Sequence, residues 1–210
     1  LVITLTKNSA KTIAKTADSL SYQSFKDFKW IIVDDQSTDK TIKILEGYNK
    51  INIKILKGPD KGIFSAYNYA FDYIKLNKIN DIIFFIHSDD QLFDNETFEN
   101  VFNIFRKYDP HCLFGNIAYF KRHNYKLYRY WNSSFKDKQI KLDDNFYKLE
   151  KVTAKDLIYG YSFPHNSFFF HSRIIDNLPS YSTNYPFCSD YLWSLEAMLS
   201  SDIDFYFYDK

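Results

Sequence analysis

Glycine is scarce in this chain, five among 210 residues, and none of the five lies in the loop directly after the first apolar run at residues 1–5. A nucleotidyltransferase would normally carry a glycine-rich phosphate loop there. Thr6–Lys7–Asn8–Ser9–Ala10 has no glycine, which argues against that class. Cysteine is scarcer still. Cys112 and Cys188 stand alone without metal-binding spacing, so neither a disulfide framework nor a zinc site is implied, and a reducing cytoplasm is the expected setting. An excess of one charge is lacking too: the formal net charge is +1, which argues against a nucleic-acid partner. No signal peptide is recognisable, and no apolar run is long enough to span a bilayer. The chain opens without Met, directly in Leu1–Val2–Ile3, as expected of a domain cut from a longer protein; an anchor outside it would allow peripheral attachment to the inner face of a membrane. Internal repeats and low-complexity segments are absent.

What is present is aromatic. Phe, Tyr and Trp make up 20% of the residues, alongside many Ile, Lys and Asn. That bias reads as AT-rich coding and carries little functional weight. The length suits one domain with a substantial core.

Hydrophobic patterning alternates in type along the first ninety residues. Apolar runs at 1–5, 28–33, 51–56 and 82–86 read as strands. Between them, residues 12–22, 41–48 and 63–76 have helical spacing, with Ile13, Ala17 and Leu20 on one face and Ile42, Leu45 and Tyr48 on another. Strand and helix in strict alternation predict a doubly wound, mostly parallel sheet. Beyond Asp90 the pattern changes. Residues 97–108 read as a helix and 112–120 as a strand, with 125–131 forming a hairpin with it across His123–Asn124. Residues 132–148 read as a polar loop, 153–159 as a short helix and 168–170 as a strand. Residues 191–199 read as a helix with Leu192, Leu195 and Leu199 inward, and 205–207 as a last strand.

Acidic residues gather where the strands end: Asp34–Asp35, Asp60 and Asp89–Asp90. In open α/β sheets ligands bind beyond the carboxyl ends of the strands. Converging carboxylates call for a cation, and hard oxygen donors suit Mg²⁺ or Mn²⁺ shared with a diphosphate.

Four segments now stand in order: Ile3–Thr4–Leu5–Thr6–Lys7–Asn8; Ile31–Ile32–Val33–Asp34–Asp35–Gln36–Ser37–Thr38–Asp39; Pro59–Asp60–Lys61–Gly62–Ile63–Phe64–Ser65; and Phe85–Ile86–His87–Ser88–Asp89–Asp90. Together they closely resemble the family-two glycosyltransferases of GT-A fold. Pro164–His165–Asn166–Ser167 and Cys188–Ser189–Asp190–Tyr191 are similar in the second half. The resemblance implies a GT-A fold, a Rossmann-like mostly parallel sheet with flanking helices and a smaller acceptor-side part containing antiparallel strands. Residues 1–92 would form a nucleotide-sugar-binding half and 93–210 an acceptor-binding half of one domain.

The same resemblance implies transfer of a sugar, with inversion, from a nucleoside-diphosphate sugar (a UDP-sugar favoured) to a glycan or lipid-linked glycan, in bacterial surface-polysaccharide synthesis. Asp35 would hydrogen-bond the base, Asp89 the ribose, and Asp90 would bind Mn²⁺ or Mg²⁺. Thr6, Asn8, Lys61 and His165 would contact substrate, and Asp190 would be the catalytic base. The chain departs from the family at Lys7, His87 and Ser65, where Tyr, Asn or Ala, and Asp are common.

Other readings remain for some positions. Asp34 is read as a turn cap, Lys61 as either a solvated loop residue or a donor contact, and His165 as either a structural histidine or an acceptor contact. Asp190 is also a candidate helix N-cap, and Tyr161, Tyr181 and Tyr185 are read as packing residues. A receiver domain would leave the 120 residues after Asp90 unexplained. A non-catalytic glycosyltransferase-like module binding a nucleotide-sugar or a protein is the rival reading, and retention of Asp35, Asp89, Asp90 and Asp190 together argues against it.

Overall fold

The apolar runs of the first ninety residues become four parallel strands in the computed structural model, which describes residues 1–121, 126–131, 138–158, 163–200 and 202–210. They are β1 (Val2–Thr6), β2 (Lys29–Asp34), β3 (Asn52–Lys57) and β4 (Ile82–Phe85), in spatial order β3-β2-β1-β4. Together with α1 (Ile13–Ser21), α2 (Thr41–Leu45), α3 (Ile63–Leu76) and α4 (Thr97–Tyr108) they form one unit, Leu1–Asp109; Pro110–Lys210 forms a second.

The order of the first unit follows from burial. β1 is buried at all five positions, with β2 and β4 on either side and α3 packed against it. β3 is the outer strand, and Asn52, Lys54 and Lys57 keep it half in water, as suits an edge. The strands are level at their carboxyl ends, with Thr6 opposite Asp34 and Asp34 opposite Lys57. Chain order reverses between β1 and β4, which pair directly. This is the switch point where loops diverge and a crevice opens.

Two buried polar groups fix the layers. Trp30 is fully buried, and its indole Nε1 donates to Thr4 Oγ1 at 2.9 Å, tying β2 to β1 inside the core. Gln23, 1% exposed, donates from Nε2 to the Asp94 carbonyl at 2.6 Å and accepts the Phe98 amide at 3.1 Å. It therefore satisfies an orphan N–H in the first turn of α4. Asp109 then ends α4 in a left-handed conformation, with φ 46°, immediately before Pro110.

The second unit contains β5 (Cys112–Phe114), β6 (Ile117–Phe120), β7 (Leu127–Trp131), β8 (Gln139–Asp143), β9 (Phe146–Leu149), α5 (Ala154–Ile158), β10 (Phe168–His171), α6 (Ser189–Leu199) and β11 (Phe205–Tyr208). β10, β5, β11, β9 and β8 lie side by side, antiparallel except for the β5–β11 pair. Stacked and tilted phenyl rings, among them Phe114, Phe163, Phe168 and Phe207, fill the core.

Three expectations are corrected here. The strand at 112–120 is two strands, because the Ser167 hydroxyl takes both the amide (3.2 Å) and the carbonyl (2.9 Å) of Gly115 out of the ladder. The polar loop at 132–148 contains the β8–β9 hairpin, turned at Asn145 with φ 56°; residues 132–137 lie outside the described part, as do His123–Asn124 and Tyr161. On α6 the buried face is Trp193, Ala197 and Met198, while Leu199 is 45% exposed. The large indole, stacked on Tyr181 with a 5.1 Å centroid separation, sets the helix rotation.

Cys112 is fully buried and burial pushes its thiol pKa well up, while Cys188 is exposed and no disulfide is formed. No helix among the described residues is long and apolar enough to cross a membrane.

Trp30→Phe should lower unfolding free energy by at least about 1–3 kcal/mol, since Thr4 Oγ1 loses its buried donor. Urea unfolding checks this, and an unchanged midpoint would show that the hydrogen bond carries no net stability.

Candidate functional site

Every loop that leaves a β1, β2, β3 or β4 carboxyl end emerges at the same edge, since the four strands are parallel; β1, β2 and β3 end level, and β4 ends opposite Ile3. Thr6 ends β1. It is 4% exposed, its carbonyl accepts the Asp35 amide at 2.8 Å, and its hydroxyl has no hydrogen-bond partner. Asp35 is 5% exposed. Its Oδ1 accepts the Asp60 amide at 2.5 Å, and its Oδ2 lies 3.9 Å from Lys7 Nζ. Lys7 also pairs with Asp60 Oδ1 at 2.6 Å, and that hydrogen bond raises the lysine pKa.

Gly58 is what lets β3 come this close. A Cβ there would sit 3.0 Å from Asp35 Oδ1 and 3.1 Å from the Asp34 carbonyl. Asp34 behaves as the turn cap expected of it, its Oδ2 accepting the Ser37 amide at 3.0 Å, although its buried Oδ1 lacks a partner.

Asn8 joins the β1 and β2 loops. With φ 53° it turns its Oδ1 to the Thr38 amide (2.8 Å), the Thr38 hydroxyl (3.3 Å) and the Asp39 amide (3.3 Å). Its own amide donates to Ser37 Oγ at 2.8 Å. The Ser9 and Ala10 amides are taken by Thr41 Oγ1 and Asp39 Oδ2. Hydrogen bonds from Thr41 and Ala10 hold the Asp39 carboxyl below its ordinary pKa. Asn8 thus has a structural task whether or not substrate also touches it. Lys61 is exposed just after Asp60, whose φ of 55° turns the loop.

On the other side of the switch point, the His87–Asp90 turn is fastened from several directions. Ser88 Oγ meets Ser9 Oγ at 2.7 Å, and the Asp90 carbonyl accepts Thr16 Oγ1 of α1 at 2.8 Å. His87 Nε2 lies 2.7 Å from the buried Tyr67 hydroxyl, and its Nδ1 lies 3.8 Å from Asp90 Oδ2. The Asp89 side chain is exposed and that of Asp90 is 40% exposed. No group of three or more His, Cys, Asp or Glu side chains able to hold an ion occurs among the described residues. Mg²⁺ and Mn²⁺ held with a substrate diphosphate need only one or two protein carboxylates. The solvent-accessible oxygens of Asp89 and Asp90 fit that requirement.

His165 and Asp190 belong to the second unit. His165 Nε2 lies 2.6 Å from Tyr181 Oη, and its ring packs edge-on against Tyr181 and Trp193. Trp193 in turn donates to the Pro179 carbonyl at 2.7 Å. One turn before Trp193 on α6 is Asp190. It does not cap that helix: Cys188 occupies the cap position and no side chain bonds there. Only the Asp190 backbone carbonyl is engaged, by Ser194 Oγ at 2.8 Å, and the half-buried carboxylate makes no hydrogen bond to a described residue.

Sequence reasoning did not assign Lys7 to the Asp35–Asp60 pair, nor His87 and Tyr67 to Asp90. The strand-end position of Lys7 and His87 was the available signal. Tyr67, in mid-helix, offered none.

Asn8→Ala should destabilise the first unit, through the lost acceptor (about 0.5–2 kcal/mol) and through a left-handed backbone (about 1–2 kcal/mol). Asn8→Gly should lose only the first part. Equal melting temperatures for both variants and the parent would remove Asn8 from this role.

The family described as glycosyl transferase family 2 has a profile that matches residues 1–173. Poly(ribitol-phosphate) beta-N-acetylglucosaminyltransferase TarS of Staphylococcus aureus is 36% identical over 110 residues, covering 42% of this chain and 19% of that protein. The chain thus spans about a fifth of that curated relative's length. Among solved structures, S. aureus TarS 1–349 in complex with UDP aligns at a TM-score of 0.70 and 24% identity, covering all of this chain and 60% of that one. Its complex with UDP-GlcNAc gives 0.71, again at 24% identity, covering all of this chain and 58% of that one. GalNAc-T7 with UDP, GalNAc and Mn²⁺ aligns at 0.60 and 13% identity, covering 99% of this chain and 41% of that one. At these identities the structural matches establish a shared GT-A fold.

Proposed function

The chain belongs to glycosyl transferase family 2, and we propose that it transfers a sugar from a nucleoside-diphosphate sugar to an acceptor hydroxyl with inversion. The observation that carries this reading is the convergence of Thr6–Lys7, Asp35, Asp60 and Asp89–Asp90 on the carboxyl edge of one parallel sheet. UDP is the favoured nucleotide, since TarS structures hold UDP and UDP-GlcNAc. The acceptor is a glycan or lipid-linked glycan of a bacterial surface polysaccharide, modified on the cytoplasmic side.

In this reading residues 1–92 hold the donor. Asp35 offers a carboxylate oxygen to the base, and Thr6, Asn8 and Lys61 border the nucleotide. Asp89 takes a ribose hydroxyl, and Asp90 supplies the ligand for Mn²⁺ or Mg²⁺. When bound, the ion supplies Lewis-acid charge toward the diphosphate. Residues 93–210 hold the acceptor, with His165 among its contacts. Asp190 takes the proton from the acceptor hydroxyl as that oxygen bonds to the anomeric carbon from the face opposite the diphosphate. The anomeric carbon–oxygen bond breaks, the electron pair leaves with the diphosphate, and the configuration inverts.

On the donor side, Asp35→Ala should weaken UDP by about 1–3 kcal/mol in calorimetry, as for a hydrogen-bonding group lost from a desolvated site. Asp90→Ala should abolish divalent-dependent donor hydrolysis while the protein stays folded. Equal turnover in excess EDTA would overturn the metal-dependent reading.

On the acceptor side, Asp190→Asn should lower transfer by at least about a hundredfold, because general-base help is typically worth about 10²–10⁴-fold. UDP affinity and melting should barely change, because the carboxylate neither caps α6 nor bonds a described residue. Near-normal transfer by Asp190→Asn would move the base elsewhere. Donor binding without transfer to any glycan, in the parent chain, would favour a non-catalytic module.

A further inference from the structure

His87 has a task that the roles above leave open. Its Nε2 lies 2.7 Å from the hydroxyl of Tyr67, a residue 1% exposed on α3. Tyr67 is itself fixed by ring contact with Phe85 at 4.9 Å, and Phe85 is buried in the sheet. The imidazole is therefore aimed from the core outward, and what its Nδ1 meets is Asp90 Oδ2, 3.8 Å away.

That distance is informative. It is too long for a hydrogen bond, which would bring the two atoms to about 2.8 Å. Two donors each about 2.1 Å from one octahedral ion stand about 3.0 Å apart as neighbours and about 4.2 Å apart when opposite, so the two atoms at 3.8 Å come to share a cation after a side-chain rotation that closes them by less than about 1 Å. The turn that carries both groups is already set. The Asp90 amide donates to the His87 carbonyl at 3.1 Å, Thr16 holds the Asp90 carbonyl, and Ser9 holds Ser88. Histidines that ligate metals commonly have their other ring nitrogen bonded to a polar partner that fixes the tautomer and the ring orientation. Tyr67 stands in that position. With Nε2 protonated and directed to the tyrosine oxygen, Nδ1 presents its lone pair on the Asp90 side.

We propose that His87 Nδ1 is a protein ligand to the divalent ion beside Asp90, making a mixed nitrogen–oxygen donor set that diphosphate oxygens and water complete. The proposal rests on the reading of Asp90 as metal ligand. It carries a specificity consequence. Imidazole suits Zn²⁺, Fe²⁺ or Ni²⁺ best, and Mn²⁺ dehydrates to take a nitrogen donor more readily than Mg²⁺, which is held by oxygen, so His87 tilts the site away from Mg²⁺.

The test is pulsed electron paramagnetic resonance on the whole chain with Mn²⁺ and UDP, prepared with natural and with ¹⁵N-labelled histidine. The wild type should show coupling from a directly bound imidazole nitrogen that changes character on labelling. His87→Asn should lose that coupling. His87→Asp, which restores an oxygen donor, should lower the Mn²⁺ to Mg²⁺ affinity ratio by at least about tenfold. Mn²⁺ bound with UDP but without nitrogen coupling in the wild type would overturn the His87 assignment and leave Asp90 standing. Coupling that persists in His87→Asn would assign it to another histidine and overturn the proposal equally. No Mn²⁺ binding at all in the presence of UDP would overturn both this proposal and the metal-dependent reading beneath it. The wild-type spectrum decides the matter even if a variant folds poorly.

Discussion

The carbonyl of Thr6 accepts the amide of Asp35 at 2.8 Å, and most of the carboxyl edge of the first unit hangs from that bond. It extends the β1–β2 ladder one residue past β2, so that Asp35 leaves the sheet with its backbone still clamped and its side chain 5% exposed. A carboxylate in that position must be hydrogen-bonded, because an unsatisfied buried charge is costly. The amide of Asp60 meets this need, and it can do so only because Gly58 has no Cβ to strike Asp35. One backbone bond in β1 thus fixes the register of the β2 loop, the approach of β3 and the start of α3. Parallel strands make the arrangement economical: four loops share one edge without any long connection.

Much of this was readable in the sequence, and the reason is periodicity. α3 and α4 begin and end where their apolar spacing does, at Ile63–Leu76 and Thr97–Tyr108. The carboxylates stood out because each directly follows an apolar run. Readability fails where long-range contacts overrule local pattern. The run at 112–120 looks continuous, yet the Ser167 hydroxyl, some fifty residues away in sequence, removes Gly115 from the ladder. β8 was hidden because its positions are mostly exposed, so its alternation carries charge as well as Ile140 and Leu142. On α6 three leucines at helical spacing predict the inward face, and the structure turns Trp193, Ala197 and Met198 inward instead. A single Trp193 packed between Tyr181 and Phe168 outweighed them.

The same limit applies within the candidate site. The residue types were legible, but their pairings were not. Nothing local to Lys7 indicates Asp60, 53 positions away, and nothing local to His87 indicates Tyr67, 20 positions back on a helix. Asn8 was placed in the site by its motif. Its carboxamide oxygen serves three donors from the β2 loop, a task that emerges only when two loops are seen side by side. Asp190 shows the converse. Its sequence position suggested a cap, but the cap site falls on Cys188, a weak acceptor. The carboxylate of Asp190 makes no hydrogen bond to a described residue.

The two sides of the switch point meet crowded negative charge differently. Around Asp35 and Asp60 the chain brings its own cation, Lys7, at 3.9 Å and 2.6 Å. An ion pair this exposed contributes little to stability. Its effect is to orient Lys7 and to lower the local negative potential where a diphosphate would have to approach. At the end of β4 the partner of Asp90 is an imidazole, which carries charge only when protonated. A lysine stands beside the carboxylates of the β1–β3 loops, and a histidine beside that of the β4 loop. The sheet brings the two together, because β1 and β4 are neighbours at the switch point.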